Sequence, residues 1–233
     1  MQADDKTILI RNYNLWSNLS DDDYDELNIV HNFIETAKDD YVYFEAFHHN
    51  KLYFIKEGYI RIGFINDMGI EVIREIIQKG EIFGQITLEK NNLNGEFAKA
   101  YKSDVSLCAF TIDDFQKLLH KKPELALKFS RQIGNKLRVI ENRLVNLLNN
   151  DVKTRLQHFL WQLIQTNHGI QTKEGFCIAN YLTHEDIAHL IGSSRQTVTT
   201  LLNELASEGI LIYKRQEISF PDVNKLQKRI SVI

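Results

Sequence analysis

The chain has 233 residues, a formal net charge of −3 and two cysteines. Its length suits one large domain or two small ones, and its 43% of hydrophobic residues excludes a disordered chain. Cys108 and Cys177 are too few for a disulfide framework and lack the spacing of metal ligands. The N-terminus lacks a signal-peptide pattern, and no apolar run approaches the roughly 18 residues that span a bilayer. We therefore expect a cytoplasmic protein without membrane contact, and the mild acidity argues against a non-specific nucleic-acid coat.

Short runs rich in aromatic and β-branched residues alternate with glycine- and asparagine-rich turns in the first half of the chain. Gly58, Gly69 and Gly80 recur every 11 residues, about the length of one strand plus one turn. This spacing predicts the hairpins of a β-sandwich or roll. The predicted strands cover residues 41–47, 51–55, 59–65, 70–77 and 105–111.

A short helix is predicted before the first of these strands. Ser20 can cap it, and Leu27, Val30 and Ile34 form its apolar stripe.

After residue 112 the spacing of the apolar residues becomes that of helices. A short helix is predicted over 113–120, and a rod over 123–148 is interrupted only by Gly134. The rod carries an apolar seam whose steps of 4, 3, 4 and 3 match the a and d positions of a coiled coil. Such a seam can pack on its own domain, but on so long a helix it favours a homodimer. The seam residues are Ile133, Leu137, Ile140, Leu144 and Leu147.

Residues 149–151 interrupt the rod, and Asp151 can cap a following helix over 152–166. We place the domain boundary at this point, so that one domain covers residues 1–150 and the other 151–233. A short strand pair is predicted over 171–178.

Two short helices follow, joined by a tight turn. Thr183 and Asp186 are spaced as a capping pair, Gly192 can end the first helix, and Ser193 or Ser194 can cap the second. The pattern is that of a helix-turn-helix, although an ordinary helical hairpin with a polar face would look similar. The predicted inner faces consist of Ile187, Ala188, Ile191, Val198, Leu201, Leu202 and Leu205.

The outer face of the second helix carries side chains that can hydrogen-bond to DNA bases. Arg195 and Gln196 lie near its N-terminus and can bond guanine and adenine edges in a major groove, with Thr199 and Thr200 beside them. A predicted hairpin over 209–220 has Lys214 and Arg215 at its tip, as a wing would. Further cations follow at Lys225, Lys228 and Arg229.

Four stretches together resemble transcription regulators of the CRP/FNR family, the relatives of the cyclic-AMP receptor protein, over about residues 12–226. The resemblance implies an α+β fold with an N-terminal double-stranded β-helix (a cyclic-nucleotide-binding-like β-roll), a long dimerisation helix and a C-terminal winged helix-turn-helix. It also implies allosteric control, an RNA polymerase partner, a guanine contact by Arg195 and phosphate contacts by Ser194 and Thr197. The stretches are residues 80–84 (GEIFG), 123–127 (PELAL), 151–155 (DVKTR) and 191–198 (IGSSRQTV).

The sensor departs from the pattern that a cyclic nucleotide requires in this family. Gln85 stands where a glutamate would bind the ribose, and Gly95 and Glu96 stand where an arginine and a serine would bind the phosphate. No arginine occurs between Arg74 and Arg131, so we expect an effector other than cyclic AMP and leave its identity open. The predicted pocket residues are Phe83, Gly84, Gln85, Ile86, Phe97, Tyr101, Ile140 and Glu141.

No cofactor is expected. An iron–sulfur sensor needs about four cysteines, and the neighbours His48 and His49 fit a polar loop edge better than a haem or metal site. No nucleophile is paired with a base, which argues against an enzyme. The competing hypothesis is a small-molecule sensor whose DNA domain is vestigial.

The charge divides unevenly between the two predicted domains. Residues 1–150 carry 19 Lys and Arg against 23 Asp and Glu, whereas residues 151–233 carry 9 against 8. This balance excludes a non-specific coat and is compatible with the partner that the predicted homodimer implies, a pseudo-palindromic double-stranded DNA site contacted through local charges.

Overall fold

The computed structural model describes residues 31–44, 50–88, 96–166, 169–173 and 175–230. The chain divides into two compact units, the first ending at Leu137 and the second beginning at Arg138.

The first unit is built on one antiparallel sheet of six strands. Its order is β1-β6-β3-β4, with β2 also paired to β6 and β5 to β3. The two longest strands, β3 and β6, each pair with several partners, as the strands of a β-roll do. The strands are β1 (His31–Thr36), β2 (Tyr41–Phe44), β3 (Lys51–Ile65), β4 (Glu71–Gln78), β5 (Ile82–Gly84) and β6 (Glu96–Thr111).

The predicted hairpin turn at Gly58 is wrong, because this glycine lies in a bulge inside β3. The pairing register with β6 shifts between Ile55 and Tyr59, and Gly58 has a φ of 90°. A Cβ at Gly58 would lie 2.6 Å from the Asp104 carbonyl oxygen, so only glycine fits. The strands predicted over 51–55 and 59–65 are consequently one.

The strand predicted over 105–111 is the second half of β6, and strands β1 and β5 were not predicted. Ile34 lies in β1, so it cannot belong to the predicted N-terminal helix. Ser20, Leu27 and Val30 lie outside the described residues.

Two helices complete the first unit's core. Helix α1 (Ile112–Lys121) is capped at its N-terminus by Thr111, whose side chain accepts a hydrogen bond from the Asp114 amide. Helix α2 (Pro123–Asn149) follows after one residue, close to the predicted range. Its first turns pack on the roll through the cluster of Phe54, Phe110, Phe115, Leu125 and Phe129, with Ile133 at its edge.

The second unit continues α2 and adds a four-stranded sheet of order β7-β8-β10-β9. Asp151 accepts a hydrogen bond from the Thr154 amide at 2.7 Å, as a helix cap does. The C-terminal helix of this unit was not predicted from the sequence. The elements are α3 (Val152–Thr166), β7 (Ile170–Thr172), β8 (Gly175–Ala179), α4 (His184–Ile191), α5 (Arg195–Ser207), β9 (Ile212–Tyr213), β10 (Glu217–Phe220) and α6 (Val223–Ile230).

The boundary between the two compact units lies inside α2, whereas the predicted boundary at residue 150 follows the end of that helix. The assignment of a sensor to residues 1–150 and a DNA domain to 151–233 stays a prediction. Among the described residues, none of the helices has the length and apolar character needed to cross a membrane.

The helix-turn-helix is defined by its caps. Thr183 and Asp186 form the predicted capping box at the start of α4. Gly192 ends α4 in the left-handed conformation with a φ of 66°, and Ser194 caps α5 by accepting from the Thr197 amide at 3.1 Å. These local interactions fix the turn between the two helices.

Replacing Gly192 by alanine should lower the free energy of unfolding by about 1–2 kcal/mol, because a side chain disfavours the left-handed conformation. The added Cβ would also lie 2.9 Å from Cδ2 of Leu147. Differential scanning calorimetry measures the change.

Gly134→Ala is the matched control. A Cβ at Gly134 meets nothing within 4 Å inside α2, so this variant should gain about 0.5–1 kcal/mol. Equal effects of the two substitutions would contradict the conformational role of Gly192.

Candidate DNA interface and sensor site

One face of α5 is buried and the other is open. Val198, Leu202 and Leu205 are buried, whereas Arg195 and Gln196 are exposed at its N-terminal end. The inner face agrees with the prediction, except that Leu201 is only partly buried. The long polar side chains at the start of α5 are therefore presented to solvent.

The hydroxyl groups of α5 bond mainly within the helix. Thr199 donates to the carbonyl of Arg195 at 2.9 Å, and Thr200 donates to that of Gln196 at 3.2 Å. Because their protons are used in this way, the two threonines are left as hydrogen-bond acceptors or methyl contacts. Arg195 and Gln196 remain the side chains best suited to read base edges.

Ser194 and Thr197, the predicted phosphate contacts, lie together at the N-terminus of α5. Their hydroxyl oxygens are 2.8 Å apart, and the Ser194 oxygen also accepts from the Thr197 amide. A helix N-terminus concentrates unpaired N–H groups and partial positive charge. The position is therefore chemically suited to a phosphate.

The wing carries less free charge than its sequence suggests. Lys214 and Arg215 lie in the turn between β9 and β10, as predicted, but the Lys214 ammonium pairs with the carboxylate of Glu217. The side-chain amide of Asn180 donates to the Lys214 carbonyl at 2.8 Å and fixes the turn. Arg215 is exposed at the tip.

Arg229, one of the cations predicted to help contact DNA, has a partner in its own unit, and its role at DNA stays a prediction. Its guanidinium pairs with Glu208, which follows directly after α5. Lys153 of α3 pairs with the same carboxylate at 3.2 Å and with Glu204 at 3.1 Å. These cations hold the C-terminal end of α5 between α3 and α6.

His184 is a functional candidate that the sequence did not indicate. Its Nδ1 lies 2.8 Å from the Thr199 hydroxyl oxygen, and its ring packs edge-on against Tyr213 at a centroid distance of 5.1 Å. Burial, and secondly the charge of Arg195, lower the pKa of His184. No local pattern indicates this contact, because 15 residues separate the histidine from Thr199.

In the sensor, Gln85 is almost completely buried. Its backbone amide donates to the Lys51 carbonyl at 3.0 Å, and its side-chain amide donates to the Thr87 hydroxyl at 2.9 Å. The side-chain oxygen Oε1 is buried and has no hydrogen-bond partner among the described residues. An unsatisfied buried acceptor is costly, so this atom is suited to accept a bond from a ligand or a water molecule.

The carboxylate of Glu96 is occupied by partners from its own chain. Its side chain is 8% exposed, accepts from Arg74 Nη2 at 2.6 Å and accepts from the Tyr43 hydroxyl. Burial and the nearby Glu96 charge raise the pKa of Tyr43, which keeps its hydroxyl proton available for this bond. Gly95, the neighbouring position of the predicted phosphate pair, lies outside the described residues.

The other predicted pocket residues lie in different surroundings. Phe83 stacks on Tyr53 in one core cluster, whereas Ile86 packs against the other cluster. Phe97 is buried, and the guanidinium of Arg61 covers the ring of Tyr101 at 4.0 Å.

The two pocket residues predicted on α2, Ile140 and Glu141, belong to the second unit and are exposed. Gly84, with a φ of 89°, approaches the Lys51 carbonyl closely. The effector pocket thus stays a prediction.

Within the described residues, no three His, Cys, Asp or Glu side chains are grouped as metal ligands. Cys108 and Cys177 are free thiols. His48 and His49 lie outside the described residues.

Comparisons with known proteins agree with both units. A family model of the cyclic nucleotide-binding domain matches residues 33–122, and one of the Crp-like helix-turn-helix domain matches 154–229. The chain is 26% identical over 170 residues to a global nitrogen regulator of Nostoc, covering 72% of this chain and 76% of that protein.

It is also 27% identical over 180 residues to a CRP-like cAMP-activated global transcriptional regulator of Mycobacterium tuberculosis, covering 77% and 80% of the two chains. Among solved structures, a mutant of CooA from Carboxydothermus hydrogenoformans superposes with a TM-score of 0.71 at 24% identity, over 85% of this chain and 87% of that one. The chain belongs to the CRP/FNR family of DNA-binding transcription regulators, with an N-terminal domain of the cyclic-nucleotide-binding type and a C-terminal winged helix-turn-helix.

Proposed function

We propose that this regulator reads a pseudo-palindromic operator as a homodimer, with Arg195 and Gln196 contacting base edges in the major groove. The observation that carries this proposal is the exposure of both side chains at the N-terminal end of a helix whose inner face is buried. Ser194, Thr197 and Arg215 contact the DNA backbone, and Lys214, Thr199 and Thr200 lie beside them. The family also supports RNA polymerase as a partner and the cytoplasm as the location.

The homodimer is supported by an apolar seam that stays about half exposed in the described part of the chain. Leu137, Ile140 and Leu144 are 55%, 54% and 55% exposed, and Leu147 is 37% exposed. Ile133, the first seam position, is instead partly buried against the roll. A row of half-exposed leucine and isoleucine at a and d spacing is stabilised when a second copy of the helix packs on it.

The effector, we infer, is not cyclic AMP. This ligand would bring a phosphate towards Glu96, whose carboxylate already holds Arg74 and Tyr43. An ionised carboxylate only accepts hydrogen bonds, so Glu96 cannot donate one to a phosphate at the position where the family resemblance implies a serine. The neutral Gln85 can still bond a ligand through Oε1, so the sensor can respond to a different small molecule.

Arg195→Ala should weaken operator binding by about 1–3 kcal/mol and relax the preference at one base pair. The operator is first selected from a random-sequence library with the wild-type protein, and fluorescence anisotropy then compares it with random DNA. The matched variant Arg215→Ala should weaken both DNAs equally, because a phosphate contact carries no sequence information. Equal weakening by Arg195→Ala would exclude base reading, and failure to enrich any operator would favour the vestigial-domain hypothesis.

Leu144→Lys should give a monomer in native mass spectrometry, because it places a charge in the proposed seam. Operator affinity should fall by roughly a hundredfold, since one chain can no longer contact both half-sites. Leu127→Lys is the matched control, because Leu127 is 61% exposed on the same helix but lies outside the seam. A dimeric Leu144→Lys variant would contradict the seam.

Isothermal titration calorimetry with cyclic AMP should show no saturable binding tighter than about 1 mM, which corresponds to a binding free energy of about 4 kcal/mol. Saturable micromolar binding by the wild-type protein would overturn the inferred exclusion of cyclic AMP.

Glu96→Gln should lower the free energy of unfolding by about 1–3 kcal/mol, because Arg74 and Tyr43 lose a charged acceptor.

A further inference from the structure

His184 lies where three elements of the second unit meet. It is the first residue of α4, its Nδ1 contacts Thr199 of α5, and its ring packs on Tyr213 of β9. The recognition helix and the base of the wing are therefore both in contact with one imidazole.

The hydrogen bonds around Thr199 determine which ring nitrogen carries a proton. The Thr199 hydroxyl has a single proton and donates it to the carbonyl of Arg195 at 2.9 Å. The contact between Thr199 and His184 at 2.8 Å must therefore use an N–H on Nδ1 of the histidine. This gives a chain of two hydrogen bonds, from His184 through Thr199 to the backbone of Arg195.

The second ring nitrogen, Nε2, is the site where the ring can gain a further proton. His184 is only partly buried, and its contact with Thr199 uses Nδ1, so Nε2 is the nitrogen left to take up that proton.

The charged groups around His184 favour the neutral ring in the free protein. Arg195 faces it from α5 and Tyr213 from β9, and burial and Arg195 lower its pKa while burial raises that of Tyr213. On α4 itself, Asp186 is bonded to Thr183 and Glu185 pairs with His189 at 3.4 Å. Both carboxylates of α4 thus have other partners.

We propose that His184 is a positioning residue that holds Arg195 through Thr199 and takes up a proton when the protein binds its operator. The proposal rests on the DNA contact proposed for α5. DNA brings a row of phosphate charges to this face, and their negative potential offsets the repulsion between Arg195 and a protonated ring.

The direction of the pH dependence follows from linkage. DNA raises the pKa of His184 relative to the free protein, so the complex binds more protons, and affinity rises as the pH falls from 8 to 6. The gain is limited to about tenfold for each unit by which DNA raises that pKa.

Fluorescence anisotropy of the library-selected operator, at pH 6, 7 and 8 and constant ionic strength, tests the proposal on the full-length protein. The wild type should bind several-fold more tightly at pH 6 than at pH 8. His184→Asn keeps an N–H donor for Thr199 and cannot titrate, so the ratio of its affinities at pH 6 and pH 8 should be smaller than that of the wild type. His189→Gln, on the same helix, should keep the full increase.

Thr199→Val tests the positioning role separately. It removes the hydroxyl and keeps the size of the side chain, so it should weaken operator binding several-fold at pH 8 and leave random DNA unaffected. Nitrogen NMR of the free protein should find the Nδ1–H tautomer at His184. Circular dichroism of each variant establishes that it is folded before binding is measured.

An unchanged pH dependence in His184→Asn, or its loss in His189→Gln, would overturn the proposal. Unchanged operator affinity in Thr199→Val would overturn the positioning role. These failures differ from a failure of the proposed function, in which the wild-type protein itself would not distinguish the operator from random DNA.

Discussion

Burial of one face of α5 is the constraint on which the DNA-reading function depends. Once Val198, Leu202 and Leu205 are in the core, helical geometry places Gln196 on the opposite face, whereas Arg195 is exposed at the N-terminal end of the helix. The caps at Gly192 and Ser194 determine where that helix starts. Inserting one residue between Gln196 and Val198 would rotate the two proposed base-reading side chains by about 100° relative to the buried face.

Both ends of α5 are held by interactions that are distant in sequence. Lys153 and Arg229 hold the carboxylate of Glu208 at the C-terminal end, and His184 holds Thr199 near the N-terminal end. Surface ion pairs contribute little to stability by themselves, but two cations on one carboxylate restrict the direction of the helix. The stability of the second unit comes mainly from its core, whereas these polar contacts restrict the direction of α5 within that unit.

The sequence predicted the helices better than the strands, and the difference has a physical cause. Caps such as Thr183–Asp186 and Gly192 are local, so residue types within four positions specify them. A glycine with positive φ, in contrast, serves a hairpin turn and a bulge equally well, and Gly58 was assigned to the wrong one. Only the pairing with β6, about 45 residues away, distinguishes the two, and local patterns do not report it.

The same limit applies to the candidate sites. Residue types indicated Arg195, Gln196 and the wing, because their chemistry is carried by single side chains on predictable faces. The pairing of Glu96 with Arg74, and of His184 with Thr199, depends on contacts between different elements. Glu96 appeared in the sequence as a repulsive charge, and in the fold it is a buried acceptor that two neighbours satisfy.

These pairings also change the electrostatic interpretation of the DNA domain. Lys153, Lys214 and Arg229 each pair with a carboxylate of their own unit, so they attract phosphate less than isolated cations would. Non-specific affinity depends on the number of phosphates neutralised, so these three pairings reduce it. Under the proposed function, discrimination between DNA sites then comes mainly from base contacts and from the geometry of the homodimer. The net charge of −3 is compatible with that mode of recognition, in which a small positive field serves selectivity by keeping non-specific binding weak.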